Sequence, residues 1–249
     1  MADLLYLSPH LDDAVLSGGG HIAQSVRKGL RVRVVTVFAG DPSPGTDSPA
    51  ARELRVRFGL EAEPGVSRRA EDAESCKKLG AACEHWEFLD AMYRTGFQGE
   101  PLYPTLASLY SAPADDAVLS AVVQRLTAAE GADLVVAPLA VGGHVDHRMV
   151  RMAAERVFGP ALACYEDFPY AQRFGALWRA MGNPFAWRGE RVALEECDLL
   201  AKIEAVRAHA SQAAVMFHGD ADLVWKIRRY ARRRGGERLW RRRVRGRPG

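Results

Sequence analysis

Short β-branched apolar runs alternate along this chain with helix-length amphipathic segments, and few folds tolerate that order. Leu4 to Leu7 reads as a strand, Ala14 to Lys28 as a helix, and residues 31–40 (RVRVVTVFAG) as a second strand. A loop punctuated by Pro and Gly follows from Asp41 to Pro49. Residues 69–79 read as a helix stopped by Gly80, 85–89 (HWEFL) as a third strand, and 115–130 as a helix. Residues 133–140 give a fourth strand, 146–157 a helix and 162–165 a fifth strand. Past an aromatic stretch at 165–188, the pattern predicts a short strand near 191–195 and helices at 198–210 and 220–233. Strand–helix–strand units cross over right-handed and build a parallel sheet. The expected fold is therefore α/β: a Rossmann-like three-layer sandwich with a mostly parallel sheet and helices on both faces. Residues 1–249 show no repeat or linker and read as one domain with a basic tail from about Lys226.

Open parallel sheets bind ligands beyond the carboxyl ends of their strands, where strand order reverses. The first strand runs into Ser8-Pro9-His10-Leu11-Asp12-Asp13 and the fourth into Gly142-Gly143-His144-Val145-Asp146-His147, each just before a helix. Either segment alone is explained by an aspartate capping its helix. Together they bring three of the seven histidines and three aspartates to one rim, which capping does not explain. Two imidazoles and a carboxylate with an open fourth position form the ligand set of a hydrolytic zinc centre, although Fe²⁺ or another divalent metal suits the same donors. A carboxylate left over would take a proton from the attacking water, and a spare imidazole would stabilise or protonate what departs. The segment Tyr165 to Tyr170 follows the fifth strand toward the same rim, which makes Glu166 and Asp167 candidate substrate contacts. Gly18-Gly19-Gly20 is not G-x-G-x-x-G and lies within a helix, so it reads as close packing rather than a nucleotide site.

SPHLDDAVLSGGG and HVDH resemble the paired signatures of the LmbE/PIG-L family of zinc-dependent N-acetylglucosaminyl deacetylases. Arg68-x-x-Glu71 leading to Leu79-Gly80, then Leu89-Asp90, Lys202 and His209-x-Ser211-Gln212, follow that family's pattern in order, so the resemblance spans roughly Leu4 to Trp240. It implies that His10, Asp13 and His147 bind zinc and that Asp12 is the general base. It makes His144 the general acid or oxyanion stabiliser, oriented by Asp146, and has Arg68 and Asp90 grip sugar hydroxyls. The implied activity is metal-dependent removal of the acetyl group from an N-acetylglucosaminyl compound, such as a thiol-cofactor precursor or a related glycoside. The chain departs from the family at Gly142, where some members carry a tyrosine, and at Leu11 and Val145, where prolines are frequent. Oxyanion stabilisation must then come from His144, the metal or another side chain.

Composition narrows the remaining possibilities. A hydrophobic share of 48% with 26% charged residues excludes a disordered or fibrous chain. No apolar run approaches the roughly 18 residues of a membrane span, and the N-terminus lacks a basic leader, so the expected location is cytoplasmic with no membrane partner. Cys76, Cys83, Cys164 and Cys197 form no C-x-x-C and read as separate reduced core residues. Lys226 to Gly249 holds 12 of the 34 basic residues and one acid, Glu237, leaving 22 basic against 30 acidic groups in the rest. A competing class is therefore a nucleic-acid or anionic-surface binder with a vestigial metal site. We favour the enzyme, with a small-molecule substrate, no nucleic-acid partner and room for a homo-oligomer. On that reading Leu223, Ile227 and Tyr230 face inward from a terminal helix, and a frayed end after Gly235 is dispensable.

Overall fold

A computed structural model describes residues 3–43, 48–58, 64–128 and 131–243. The first half runs β1 (Asp3–Ser8), α1 (Asp13–Arg27), β2 (Arg31–Thr36), α2 (Pro49–Phe58), α3 (Pro64–Leu79), β3 (Ala82–His85) and α4 (Asp116–Ala128). The second half runs β4 (Leu134–Pro138), α5 (Val145–Phe158), β5 (Ala163–Tyr165), α6 (Ala176–Met181), β6 (Trp187–Val192), α7 (Glu196–Ala208), α8 (Ala210–Met216), α9 (Asp220–Arg234) and β7 (Glu237–Arg242). The strands form one sheet in the order β3-β2-β1-β4-β5-β7-β6. β1 to β5 are parallel, with Leu4 opposite both Val32 and Leu134. Five consecutive residues of β1 are buried, as expected for a strand covered on both faces.

Strand order reverses between β1 and β4. The crossovers leave β1 in opposite directions, and with a fixed hand they place their helices on opposite faces. α1, α3 and α7 pack together, while α4 packs with α5. The three-layer expectation is met. The glycine triplet is a close-packing device: a Cβ on Gly18 would lie 2.6 Å from the Tyr6 ring, and one on Gly20 would lie 2.4 Å from Leu194. Among the described residues, no helix is long and apolar enough to cross a membrane.

Three expectations need correction. The third strand is Ala82–His85, not 85–89, because its ladder is set by β2 from Arg33 to Thr36; beyond His85 the chain continues beside residues 36–40 through an isolated bridge of Glu87 to Phe38 and backbone hydrogen bonds of Trp86 with Thr36 and Ala39 and of Phe88 with Gly40. The strand expected near 191–195 is Trp187–Val192, whose register is dictated by β7. Part of the supposedly frayed basic end is that seventh strand, wedged antiparallel between β5 and β6. Its anchor is Glu237, buried against Lys202 Nζ at 2.6 Å and accepting from the Gly20 and His21 backbone N–H groups at 3.1 and 2.7 Å. α2, which had no sequence-level forecast, follows the Asp41–Pro49 loop, of which residues 44–47 lie outside the described set. The same holds for residues 129–130 of the expected third helix and for 244–249 of the tail.

Candidate metal-dependent active site

The switch point between β1 and β4 sets the loops after both strands side by side. After β1, Ser8 Oγ donates to the His10 carbonyl at 2.7 Å and accepts from Ala14 N–H at 3.0 Å. Asp13 accepts from His10 N–H at 2.9 Å, which closes the turn. Asp12 occupies the N-cap of α1, yet its side chain makes no cap hydrogen bond and its φ is 150°, a costly backbone conformation for a residue with a side chain. Capping therefore does not account for Asp12. After β4, the cap of α5 is His144, whose Nδ1 accepts from Asp146 N–H at 3.3 Å.

His10, Asp13 and His147 offer three ligand atoms within 4.8 Å of one another. Asp13 Oδ2 is 3.3 Å from His10 Nδ1 and 3.2 Å from His147 Nε2. The far nitrogen of each imidazole meets a buried carboxylate: His10 Nε2 lies 2.9 Å from Asp146 Oδ2, and His147 Nδ1 lies 2.7 Å from Asp167 Oδ1. Carboxylates behind ligating histidines fix tautomer and ring orientation at metal sites. The donor set and its backing fit a divalent metal. So does the charge: Asp12, Asp13, Asp90, Asp146 and Asp167 gather here, while the guanidiniums nearby are Arg94, ion-paired to Asp146, and Arg68.

This environment separates the roles of the titratable groups. Burial and the neighbouring Asp13 carboxylate push the Asp12 carboxyl up to about 7, with Arg68 pulling the other way. Burial opposes protonation of His147, but Asp13 and Asp167 outweigh it and lift the imidazole to about 9. Burial and the neighbouring His10 push His144 down to about 3, so it is neutral. With Nδ1 accepting a backbone N–H, its proton sits on Nε2.

Above these groups opens a cleft of about 450 Å³, walled by Arg68, Asp90, Tyr93, Tyr110, Tyr170 and Arg173 as well as by the aspartates and histidines of the two loops. Arg68 and Asp90 reach it, as the sequence suggested; Asp90 Oδ2 also stands 3.3 Å from His10 Nε2. Glu166 does not. It is buried, accepts from Tyr230 Oη at 2.5 Å and Trp240 Nε1 at 2.9 Å, and pairs with Arg234 at 3.0 Å, so it ties β5 to the C-terminal segment and is no substrate contact. Asp167 is also buried away from substrate, holding His147 and accepting from Val141 N–H at 2.8 Å. The Asp146 carboxylate meets His10 rather than His144, whose Nδ1 stands 3.9 Å from it and takes the Asp146 backbone N–H instead. Sequence reasoning missed Tyr170 and Arg94. A Cβ on Gly142 would lie 3.0 Å from the Tyr170 ring, so Tyr170 fills the space beside that glycine. Arg94, buried, neutralises part of Asp146 and stacks 4.6 Å from the Phe38 ring centroid. Only the aromatic and basic composition of those loops hinted at either residue.

Comparison with known proteins agrees with this geometry. Residues 5–158 match the family described as PIG-L: GlcNAc-PI de-N-acetylase. A 2'-N-acetylparomamine deacetylase of Streptomyces fradiae is 33% identical over 251 residues, which cover 95% of this chain and 80% of that protein. The zinc-inhibited form of a teicoplanin deacetylase superposes with a TM-score of 0.82 at 30% identity, covering 96% of this chain and 97% of the other. The deacetylase of the antimicrobial A40926 pseudoaglycone superposes with a TM-score of 0.72 at 31% identity, covering 96% of each chain.

Proposed function

This chain belongs to the PIG-L family of GlcNAc-PI de-N-acetylases, and we propose that it hydrolyses the acetamide of an N-acetylglucosaminyl unit carried on a larger glycoside. The observation that carries this reading is the convergence of the two loops: Asp12, uncapped and strained, beside the His10, Asp13 and His147 donors at the floor of a cleft. The relatives named for 2'-N-acetylparomamine, teicoplanin and the antimicrobial A40926 pseudoaglycone favour an aminosugar on an antibiotic-like scaffold.

His10 Nδ1, Asp13 and His147 Nε2 would hold the metal, which we assign as zinc from its two-imidazole, one-carboxylate donors. When bound, such an ion polarises the acyl oxygen and acidifies a water. Asp12 takes the proton from the attacking water, and a carboxyl near 7 is matched to that task at neutral pH. His144, neutral and protonated on Nε2, donates a hydrogen bond to the negative charge that develops on the acetyl oxygen as water adds to the acyl carbon. The proton held by Asp12 then passes to the departing amine, so water and amide give acetate and free aminosugar. Tyr170, which lines the cleft with its ring against Gly142 and its phenol held protonated by burial, would add a second donor to the acyl oxygen. Arg68 and Asp90 bind sugar hydroxyls from the cleft walls.

The test is a deacetylation assay over N-acetylated aminoglycosides, N-acetylglucosaminyl glycopeptides and simple N-acetylglucosaminides, followed by mass spectrometry. The protein is stripped and titrated with Zn²⁺, Fe²⁺, Co²⁺ or Mn²⁺. Release of acetate from one scaffold class is expected, with activity restored by metal. Folded, metal-loaded protein that deacetylates no member of the panel sinks the reading.

A further inference from the structure

Away from the cleft, between α3 and the edge strand β3, a second set of metal-binding side chains converges. Asp72 and Cys76 are one turn apart on α3, and Cys83 and His85 are two apart on β3, so each element presents its pair on one face. The ligand atoms of Asp72, Cys76 and Cys83 all lie within 4.8 Å of one another. His85 Nε2 adjoins two of the three, 2.9 Å from Asp72 Oδ2 and 3.2 Å from Cys83 Sγ, and Cys83 Sγ is 3.6 Å from the same carboxylate oxygen. The sequence reading of these cysteines as separate core residues is thereby corrected for Cys76 and Cys83.

From these distances we propose that Asp72, Cys76, Cys83 and His85 form a second, thiolate-containing site for a zinc-like divalent cation, using none of the donors at the rim. Tetrahedral zinc has bonds of about 2.0–2.3 Å, which puts neighbouring donors about 3.3–3.8 Å apart. The separations among Asp72, Cys83 and His85, 2.9 to 3.6 Å, match after shifts of up to about half an ångström, and Cys76 Sγ, within 4.8 Å of Asp72 and Cys83, has to close in further, by about 1 Å at most toward those two. Two thiolates and an imidazole select zinc, cobalt or cadmium over magnesium or calcium. The surroundings are built to hold the carboxylate. Thr36 Oγ1 donates to Asp72 Oδ2 at 3.0 Å. His209, 1% exposed, has neither ring nitrogen hydrogen-bonded among the described residues, and its Nε2 stands 3.7 Å from Asp72 Oδ1. A carboxylate turned to ligate through one oxygen would bring the other onto that imidazole. Asp72 and Cys76 are buried while Cys83 and His85 are half-buried at the sheet edge, which gives the ion a way in. Four protein donors leave no position open, so the site is structural: it pins β3 to the helix that also carries Arg68. Each thiol that ligates gives up its proton to solvent.

The test is Co²⁺ titration of the reduced, chelator-stripped full chain, read by absorbance and elemental analysis. Two equivalents are expected, one of them with a thiolate-to-cobalt charge-transfer band that the nitrogen- and oxygen-only active site cannot give. Cys83→Ser loses that band and one equivalent but keeps the other equivalent and turnover, and His85→Gln weakens the band's midpoint. Asp13→Ala keeps the band, so failure of the deacetylase reading and failure of this one are distinguishable. One equivalent without the band overturns the proposal, as does a band that survives Cys83→Ser. Mass mapping that finds Cys76 and Cys83 joined as a disulfide, with no metal uptake after reduction, also overturns it.

Discussion

The rim loops after β1 and β4 and the ribbon of β6 and β7 both bury charge, but they balance it differently. Around the ribbon, charges pair one to one: Glu237 of β7 with Lys202 of α7 at 2.6 Å, and Glu166, which Trp240 of β7 also contacts, with Arg234 at the end of α9 at 3.0 Å. At the rim, Asp13, Asp90, Asp146 and Asp167 crowd around His10 and His147, and Arg94 answers only one of them. Burying unpaired carboxylates is costly unless a cation or a proton offsets them. A balanced buried pair therefore marks architecture, and an unbalanced cluster marks a place where something else must bind. The basic C-terminal segment falls on the architectural side. Arg234, Arg241 and Arg242 meet Glu166, Glu190 and Glu155 of the same chain, so these three cations are engaged within the fold, and the deacetylase relatives support the enzyme rather than the nucleic-acid alternative.

The largest effect that could break this contrast lies at the rim. Asp12→Asn should cut kcat by about 10²–10⁴-fold while metal content stays unchanged, because it removes a base and no ligand. Asp13→Ala should instead empty the rim site, and elemental analysis beside kinetics separates the two. If Asp12→Asn emptied the site and Asp13→Ala did not, base and ligand would have to be exchanged.

The ribbon should respond in stability. Glu237→Gln leaves Lys202 buried and uncompensated, which costs about 3–5 kcal/mol, measured as a drop in the urea midpoint, while kcat per folded molecule holds. Truncation after Gly235 deletes β7 entirely and should prevent folding, the reverse of what the sequence suggested. A truncated chain that folded and turned over normally would make the ribbon an ornament.

That reversal shows what was legible in the sequence and what was not. β1, β4 and β5 announce themselves because parallel strands buried on both faces read as unbroken apolar runs, β2 through its β-branched valines despite two arginines, and the loops after β1 and β4 carry their chemistry in adjacent residues. β7 reads ERLWRR. Its burial depends on partners 35 residues away at Lys202 and 74 away at Glu166, which no local pattern encodes. The same holds at the rim. His10 and Asp12 were visible, but the assignment of Asp146 to His10 rather than His144 depends on ring orientations that only the assembled loops set. Asp167 was singled out for its position and given the wrong partner for the same reason.

Asp167→Asn tests that partner and should have an intermediate effect. Loss of the carboxylate behind a ligating histidine typically weakens metal binding by about 10–100-fold. Competition with a chromophoric chelator reads this directly. The neighbouring Glu166→Gln should change thermal stability and leave that affinity alone. Two adjacent acids, one serving the rim and one the ribbon, then give opposite readouts; equal readouts would erase the distinction drawn between the two regions.

The smallest effect is expected where the ribbon meets solvent. Arg242 pairs with Glu155 at 3.3 Å and lies 4.7 Å from the Trp187 ring centroid, with its side chain 49% exposed. An exposed ion pair is worth about 0.2–1 kcal/mol, and an exposed cation–π contact about 0.5–1 kcal/mol. Arg242→Ala should therefore cost about 1 kcal/mol in chemical denaturation, well below Glu237→Gln on the same strand. Salt screens the ion pair but not the packing of the guanidinium on the ring, so the difference between wild type and variant should shrink with added salt without vanishing. A loss equal to that of Glu237→Gln would mean that the outer face of β7 carries as much of the fold as its buried face, and that pairing at the surface is as structural here as pairing in the core.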